Sequence, residues 1–473
     1  MMQETWKCSV QDLARATNGQ IMSTVFNEFE KVGTDTRDPL NKTLFVPLKG
    51  GNHDAHDFIP KALEQGARVI LVHEWRAEWK PLLGKATFVR VENTLLALQE
   101  FARFWRKKMG FKVLAITGSN GKTSTKEFTL SLVKEHIPTF ASRGSYNNHW
   151  GVPLSILQAG SQTKVLILEM GMNKSGELTR LCQIAEPDVV VVTTVGRAHV
   201  GELGSMANVA AAKEEIYQAA PRALHIFNMD NEWTLRMQAH SHGQQIKYSS
   251  FNTEVDVYLR AQSLSWEGID ICGSIRGVPG QTWVHVLGRQ NTVNLMCASS
   301  LALAAGLTPE QIWHGLGVIQ DVAWGRNQRL RLQNGARVIF DAYNANPDSM
   351  HALFKNLYEI EMHGRKFLIV GDMKELGSFT DQAHEEIGER AGSVGFEGVL
   401  YVGKNADAFL RGLEKAGKPK LFLHSVTADA GISREFLQRF KPDDLVAIKG
   451  SRSMQLERVM EGWPLQTPLG EKP

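Results

Sequence analysis

Cysteine is scarce. Cys8, Cys182, Cys272 and Cys297 are the only four in 473 residues, and none are spaced C-x-x-C. That scatter argues against a zinc site and a disulfide scaffold, and it predicts a reducing, cytoplasmic setting. An excess of one charge is missing too: 53 basic residues stand against 50 acidic ones, a net +3. Such a balance carries no electrostatic footprint for nucleic acid or an anionic membrane. Long apolar runs are absent. Val189 to Val195 is among the longest and contains two threonines, whereas a membrane span needs about 18 or more apolar residues. The opening MMQETWKCSV has no apolar core of a signal peptide. There is no internal repeat and no low-complexity tract. What remains is 43% apolar and 22% charged, the composition of an ordinary globular protein. At roughly 150 residues per domain the length predicts about three domains, each long enough for its own core.

The chain reads as three alternating α/β segments, 1–109, 110–328 and 329–473. In the first, short strands at Thr43–Pro47 and Ala67–Val72 lead to a helix over Thr94–Met109. Leu95, Leu98, Phe101, Ala102 and Trp105 fall at helical spacing there, and Gly110 suits the stop. In the second, Lys112–Thr117, Lys164–Glu169 and Asp188–Thr193 are apolar strands separated by helices, the pattern of a parallel sheet covered on both faces. Residues from about 246 to 286 alternate and predict antiparallel hairpins appended to that sheet. In the third, strands Arg337–Asp341, Lys366–Val370, Gly398–Val402 and Asp444–Lys449 alternate with helices in a Rossmann-like way, without a G-x-G-x-x-G fingerprint. The predicted class is α/β.

The strongest chemical signal is a glycine turn between a strand and a predicted helix, Ser124 to His136. Thr117, Gly118, Ser119, Asn120, Gly121, Lys122, Thr123 and Ser124 form it. Gly118 and Gly121 let backbone N–H groups converge on phosphate oxygens, and the helix start adds positive potential. Lys122 would reach the β and γ phosphates and the Thr123 hydroxyl would ligate Mg²⁺. The strict phosphate-loop pattern is broken only by Ile116 where it has glycine. ATP is the predicted ligand. Glu169 ends the next apolar strand, where an acid after such a loop meets Mg²⁺ or its water; capping of the next helix is the competing reading. His199 lies just past the third strand of this sheet, at the end where ligands collect. Lys213 follows on a predicted helix, Ala207–Ala220, where a solvated lysine is the ordinary expectation.

Together with Leu168-Glu-Met-Gly-Met172, the His199 to Ser205 stretch and Ala211-Ala-Lys-Glu-Glu-Ile216, this turn resembles the central domain of the Mur ligases, ATP-dependent enzymes of peptidoglycan precursor synthesis. Tyr146-Asn-Asn-His-Trp-Gly-Val-Pro153 and Gly288-Arg-Gln-Asn291 resemble further family motifs. Phe340-Asp-Ala-Tyr-Asn-Ala-Asn-Pro-Asp-Ser-Met350, Gly371-Asp-Met-Lys-Glu-Leu-Gly377 and Lys449-Gly-Ser-Arg-Ser-Met454 resemble the branch that adds D-alanyl-D-alanine. Thr36, Ala55 and Gln290 depart from the family's usual Ser, Gly and His.

The resemblance implies an acid–amine ligase acting on UDP-N-acetylmuramoyl-tripeptide and D-alanyl-D-alanine through an acyl phosphate. It implies that Lys122 and Thr123 bind ATP and Mg²⁺, that Glu169 and His199 ligate metal with two ions present, and that Lys213 is carbamylated. It implies that Asn291 and Arg326 contact ATP near adenine and phosphate, and that Asp341 helps hold the nucleotide. Asp35, Thr36 and Arg37 match UDP-contacting positions, and Asn147 and Asn148 match a muramoyl-peptide loop. Asn344 and Asn346 would face substrate, with an Asx turn before Pro347 as competitor. Lys449 and Arg452 suit a substrate carboxylate, or a structural role at a helix start. A monomer is expected. The open alternatives are the ligase adding the third amino acid, a folylpolyglutamate synthetase and a phosphate-loop switch ATPase.

Overall fold

In this computed structural model the chain is described over residues 6–51, 53–144, 146–320, 323–361 and 363–469. The first five residues, half of the N-terminal stretch read above for a signal peptide, lie outside that range. Three large sheets, beside a two-stranded pair of Cys8–Ser9 with Glu28–Phe29, organise the described residues. The first has five strands in the order Gln20–Ile21, Thr87–Arg90, Val69–Val72, Thr43–Phe45, Lys31–Gly33, parallel except for the first pair. The helix Thr94–Met109 closes this segment as predicted. Asn93 caps it by accepting from the Leu95 and Leu96 N–H groups, and Gly110 ends it at φ 67°. Its buried stripe of Leu98, Phe101, Ala102 and Trp105 packs on helices Val10–Thr17 and Gly151–Gln158. It therefore joins the first sheet to the second.

The central sheet has nine strands. Lys112–Thr117 lies between Val165–Glu169 and Val189–Val192, all parallel. Helices cover both faces, so every residue of these three strands except Lys112 is buried. At the far side Val257–Leu264, Ile269–Ile275 and Val278–Val284 pair antiparallel. Here the structure corrects the sequence reading. Gln245–Ser249 is parallel to both neighbours, so the antiparallel part begins at Val257 rather than near 246. Buried Ile246 and Tyr248 alternate with half-buried Gln245 and Lys247. That alternation is what an antiparallel strand would also show.

The helix after the glycine turn runs Lys122–Val133, two residues earlier than read from sequence, because Gly121 at φ 83° is itself the cap. Lys122, Thr123 and Ser124 thus sit in the first turn, where N–H groups have no partner within the helix. The helix carrying Lys213 is Met206–Gln218, capped by the Ser205 hydroxyl. The third sheet has six strands in the order Gln328–Arg331, Arg337–Asp341, Leu445–Lys449, Lys366–Gly371, Gly398–Val402, Leu421–Ser425. All pair in parallel except the first two. Among the described residues no helix is long and apolar enough to cross a membrane.

Candidate functional site

Thr117, Glu169 and Val192 end three adjacent parallel strands at the same edge of the central sheet, the edge where open α/β sheets place their ligands. The glycine turn is tied to the segment after Val192. Ser119 N–H donates to Thr194 O (2.8 Å), Thr193 Oγ1 to Asn120 O (2.6 Å) and Gly196 N–H to Ser119 Oγ (2.9 Å). Both glycines are required. A Cβ on Gly118 (φ 148°) would fall 1.9 Å from Thr193 Oγ1, and one on Gly121 would fall 2.1 Å from Asn294 Oδ1.

Lys122 Nζ donates to Gly118 O at 2.7 Å. Burial pushes its pKa below the ordinary lysine value, the Glu169 carboxylate pulls it back up, and Arg326 lowers it again. Thr123 Oγ1 donates to Glu169 Oε2 at 2.8 Å, and Glu169 is only 2% exposed. The hydroxyl and carboxylate expected at a metal thus stand side by side. The Glu169 side chain is engaged by the glycine-turn helix, not by a cap on its own following helix.

A cleft of about 360 Å³ separates the second and third sheets. Ser119 to Ser124 and Asn291 line one wall; Arg326, Asp341, Asn344, Asn346 and Lys449 line the other. Arg326 Nη2 lies 3.4 Å from Thr123 Oγ1, its guanidinium stacks 4.3 Å from the Tyr343 ring, and its Nε is buried without a partner among the described residues. Asn346 Nδ2 donates to Asn120 Oδ1 at 2.8 Å across the cleft. Asn346 is also the N-cap of helix Pro347–Glu359, in a capping box with Ser349, so the local turn and the cleft-facing position coexist.

Two family models match the chain, the Mur ligase middle domain over residues 116–302 and the Mur ligase glutamate ligase domain over residues 325–452. The UDP-N-acetylmuramoyl-tripeptide–D-alanyl-D-alanine ligase of Bacillus subtilis is 31% identical over 470 residues, 98% of this chain and 99% of that protein. The chain belongs to the Mur ligase family. The crystal structure of MurF from Acinetobacter baumannii is similar to it with a TM-score of 0.85 at 28% identity, covering 98% of this chain and 99% of that one. The MurF ligase of Thermotoga maritima, solved in complex with ADP, has a TM-score of 0.78 at 26% identity, over 91% and 96% of the two chains.

In this Mur ligase, His199 follows the turn after Val189–Val192 with a left-handed backbone, φ 63°. Burial, with Lys213 and Lys122 nearby, pushes its pKa down to about 4, so the ring is neutral at physiological pH. Its Nδ1 comes within 3.1 Å of Glu375 Oε2, yet lacks the angle of a hydrogen bond. Lys213 is 2% exposed, which rules out the solvated helix lysine. Burial and the Lys122 charge hold its pKa well below the ordinary value. Nearby Glu215 accepts from Ser175 Oγ (2.7 Å) and Gly176 N–H (2.6 Å), anchoring the helix that carries Lys213.

Other predicted residues are engaged within the fold. Asn291 Nδ2 donates to Leu287 O (2.8 Å) and its Oδ1 accepts from Asn294 (2.8 Å). Asn147 Nδ2 donates to Glu169 Oε1 at 2.9 Å, and Asn148 Oδ1 accepts from Gly151 N–H at 2.9 Å. Asn147 orients the acid, and Asn148 Oδ1 accepts from the backbone at the start of helix Gly151–Gln158. Lys449, buried, donates to Asp341 Oδ2 (2.7 Å) and Asn344 O (3.0 Å), fixing the loop that faces the glycine turn. Arg452 forms a double hydrogen bond to Glu457 at 2.9 and 3.0 Å. In this structure the Lys449 ammonium and the Arg452 guanidinium are paired with these carboxylates.

Asp35, Thr36 and Arg37 lie in the loop after Lys31–Gly33. The exposed Arg37 guanidinium rests on the Asp35 carboxylate. Gly33 and Asp38, on either side of that loop segment, line a second cleft of about 1070 Å³, together with Arg143, Tyr146, Trp150 and Tyr343. Sequence reasoning missed Arg143, whose guanidinium has no partner among the described residues. It also missed Lys126, whose buried ammonium donates to Ser142 O (2.6 Å) and Gly144 O (3.3 Å) on either side of Arg143. A lysine one turn into a phosphate-loop helix carries no sequence signal for this. Arg197 was missed as well. Its guanidinium and N–H reach Asp348 (3.0 and 2.7 Å) and Glu386 (2.8 Å) of the third segment.

Proposed function

We infer that this chain is an ATP-dependent ligase that joins D-alanyl-D-alanine to UDP-N-acetylmuramoyl-tripeptide, releasing ADP and phosphate. The observation that carries this reading is the cleft in which the glycine turn and Arg326 face each other across two segments, in a chain alike over its full length to ligases of that name. The ADP bound by the Thermotoga relative supports ATP as the nucleotide here.

The γ-phosphoryl group would pass to the tripeptide's terminal carboxylate. A carboxylate resists attack by an amine until it carries a leaving group, and the acyl phosphate supplies one. The dipeptide amine then attacks the acyl carbon, phosphate departs and the amide forms. Lys122, Arg326 and the N–H groups at Lys122 to Ser124 would hold the phosphates and neutralise charge on the transferring group. Residues 1–109 would hold the UDP-sugar, 110–328 the ATP, and 329–473 would close over it and take the dipeptide.

The residues suit Mg²⁺. Thr123 Oγ1 and Glu169 are hard oxygen donors 2.8 Å apart beside the loop. Among the described residues no three His, Cys, Asp or Glu side chains converge as a metal cluster, so an ion would rest on nucleotide oxygens as well. Thr123, Glu169 and His199 would hold it, and when bound it would neutralise charge on the phosphoryl group. Lys213 suits carbamylation. A pKa held well below the ordinary value favours the neutral, nucleophilic amine that adds to CO₂. Addition forms the N–C bond, the proton goes to solvent, and the buried amine becomes an anion that would help hold a second ion. We place the enzyme in the cytoplasm as a monomer.

Phosphate release is expected to require the UDP-muramoyl-tripeptide and D-alanyl-D-alanine together, with the UDP-linked product gaining the dipeptide by mass. Release that depends on neither substrate would overturn the ligase reading in favour of a switch ATPase. Arg37→Ala is expected to raise the KM for the UDP substrate and leave the KM for ATP little changed, since a guanidinium suits diphosphate recognition. An equal rise in both would displace UDP binding from the first segment.

A further inference from the structure

Glu375 lies in the loop after strand Lys366–Gly371, within Gly371-Asp-Met-Lys-Glu-Leu-Gly377, a stretch that the reaction above leaves without a task. Its Oε2 stands 3.1 Å from His199 Nδ1. That nitrogen is buried and has no hydrogen bond among the described residues. A carboxylate therefore faces an unsatisfied ring nitrogen and needs only to turn to accept from it. Both residues hold left-handed backbone, φ 63° at His199 and 64° at Glu375, which non-glycine residues keep only where the surroundings impose it.

The surroundings are a backbone-to-backbone joint. Gly201 N–H donates to Glu375 O at 3.3 Å. A Cβ on Gly201 would fall 2.5 Å from both Leu376 C and Gly377 N. The third segment reaches His199 this closely only because residue 201 has no side chain.

We propose that Glu375 is a positioning residue for the metal site: it accepts the Nδ1–H of His199, which leaves Nε2 as the metal ligand. Metal-binding histidines regularly give their other N–H to a carboxylate, which settles tautomer and ring orientation. Because Glu375 belongs to the third segment, it completes this arrangement only when that segment is seated on the second. This inference rests on the reading of His199 as a metal ligand. The competing role is a simpler one, in which Glu375 offsets the positive field of Lys122 and Lys213 around His199.

Mn²⁺ binding by electron paramagnetic resonance separates the two. The full-length enzyme is saturated with a non-hydrolysable ATP analogue and titrated with Mn²⁺. Glu375→Gln is expected to raise the Kd of one Mn²⁺ on the order of 10- to 100-fold, with Tm unchanged. His199→Ala is expected to weaken that same ion, and the double variant no further. Glu375→Asp, one methylene shorter, should fall between wild type and Glu375→Gln. A Kd within about twofold of wild type in Glu375→Gln, or a loss that adds to that of His199→Ala, would overturn the positioning role while leaving the metal reading intact. Unchanged Mn²⁺ binding in His199→Ala would remove the metal reading and this inference with it.

Discussion

Lys122→Ala is expected to lower kcat for ligation by on the order of 10²-fold or more, with the fold intact and Tm unchanged. A factor of 10² corresponds to about 2.7 kcal/mol of transition-state stabilisation, the scale of one lost charge-assisted contact to a transferring group. The ammonium is positioned for that contact by its backbone. It sits at the first residue of the helix, with a left-handed Gly121 behind it and its Nζ folded back to Gly118 O at 2.7 Å. That bond is internal to the turn, so losing it costs the fold little. ATP displaces nothing structural when it takes the ammonium over. The measurement is steady-state kinetics at saturating ATP and UDP substrate, with circular dichroism as the folding check. A near-normal kcat would show that the turn does not hold the transferring phosphate.

Lys213→Ala is expected to lose most activity, and a short-chain carboxylic acid in the buffer is expected to restore part of it by filling the vacated space. Lys213→Glu should retain a little, since it carries a carboxylate on a shorter stem. The reason is the site's charge. A buried ammonium beside Lys122 and His199 would repel Mg²⁺, whereas a carbamate supplies two anionic oxygens there. Wild-type activity in Lys213→Ala would remove the carbamate from the mechanism.

The same substitution has a stability signature in CO₂-free buffer. The folded-state pKa of Lys213 lies well below its ordinary value of 10.5, so below pH 10.5 the unfolded chain binds the proton more tightly. Stability from this group therefore falls as pH drops through 10.5 toward the folded pKa. Lys213→Ala escapes this penalty, so its stability relative to the wild type should fall as pH rises toward 10.5 and level off above it. A stability difference that stays constant between neutral pH and pH 10.5 would mean that the fold does not disfavour the Lys213 ammonium.

Features with local causes were legible in the chain. The helix Thr94–Met109 was readable end to end because its cap, apolar stripe and terminal glycine all lie within one short segment. The phosphate-binding turn was readable for the same reason. Its glycines, its lysine and the apolar strand before it are contiguous, and the two glycines are required by backbone geometry at that place. The short parallel strands announced themselves because burial on both faces leaves few polar residues in them. Even here a local pattern misled once, at Gln245–Ser249, a parallel strand that alternates as an antiparallel one would.

What tertiary structure decided is where side chains go once separate segments meet. Asn147 and Asn148 look alike in the chain, yet one turns to Glu169 and the other accepts from the Gly151 N–H. Lys449 and Lys213 are both buried lysines, but only the first meets a carboxylate, because Asp341 ends the neighbouring strand of its sheet. The pairing of His199 with Glu375 spans two segments and depends on Gly201 permitting contact of two backbones. Sequence periodicity reports burial and local dihedral preference, which residues a few positions apart impose on each other. It holds no record of which distant group will supply a buried donor with its acceptor, since that choice is made only when whole sheets and helices pack.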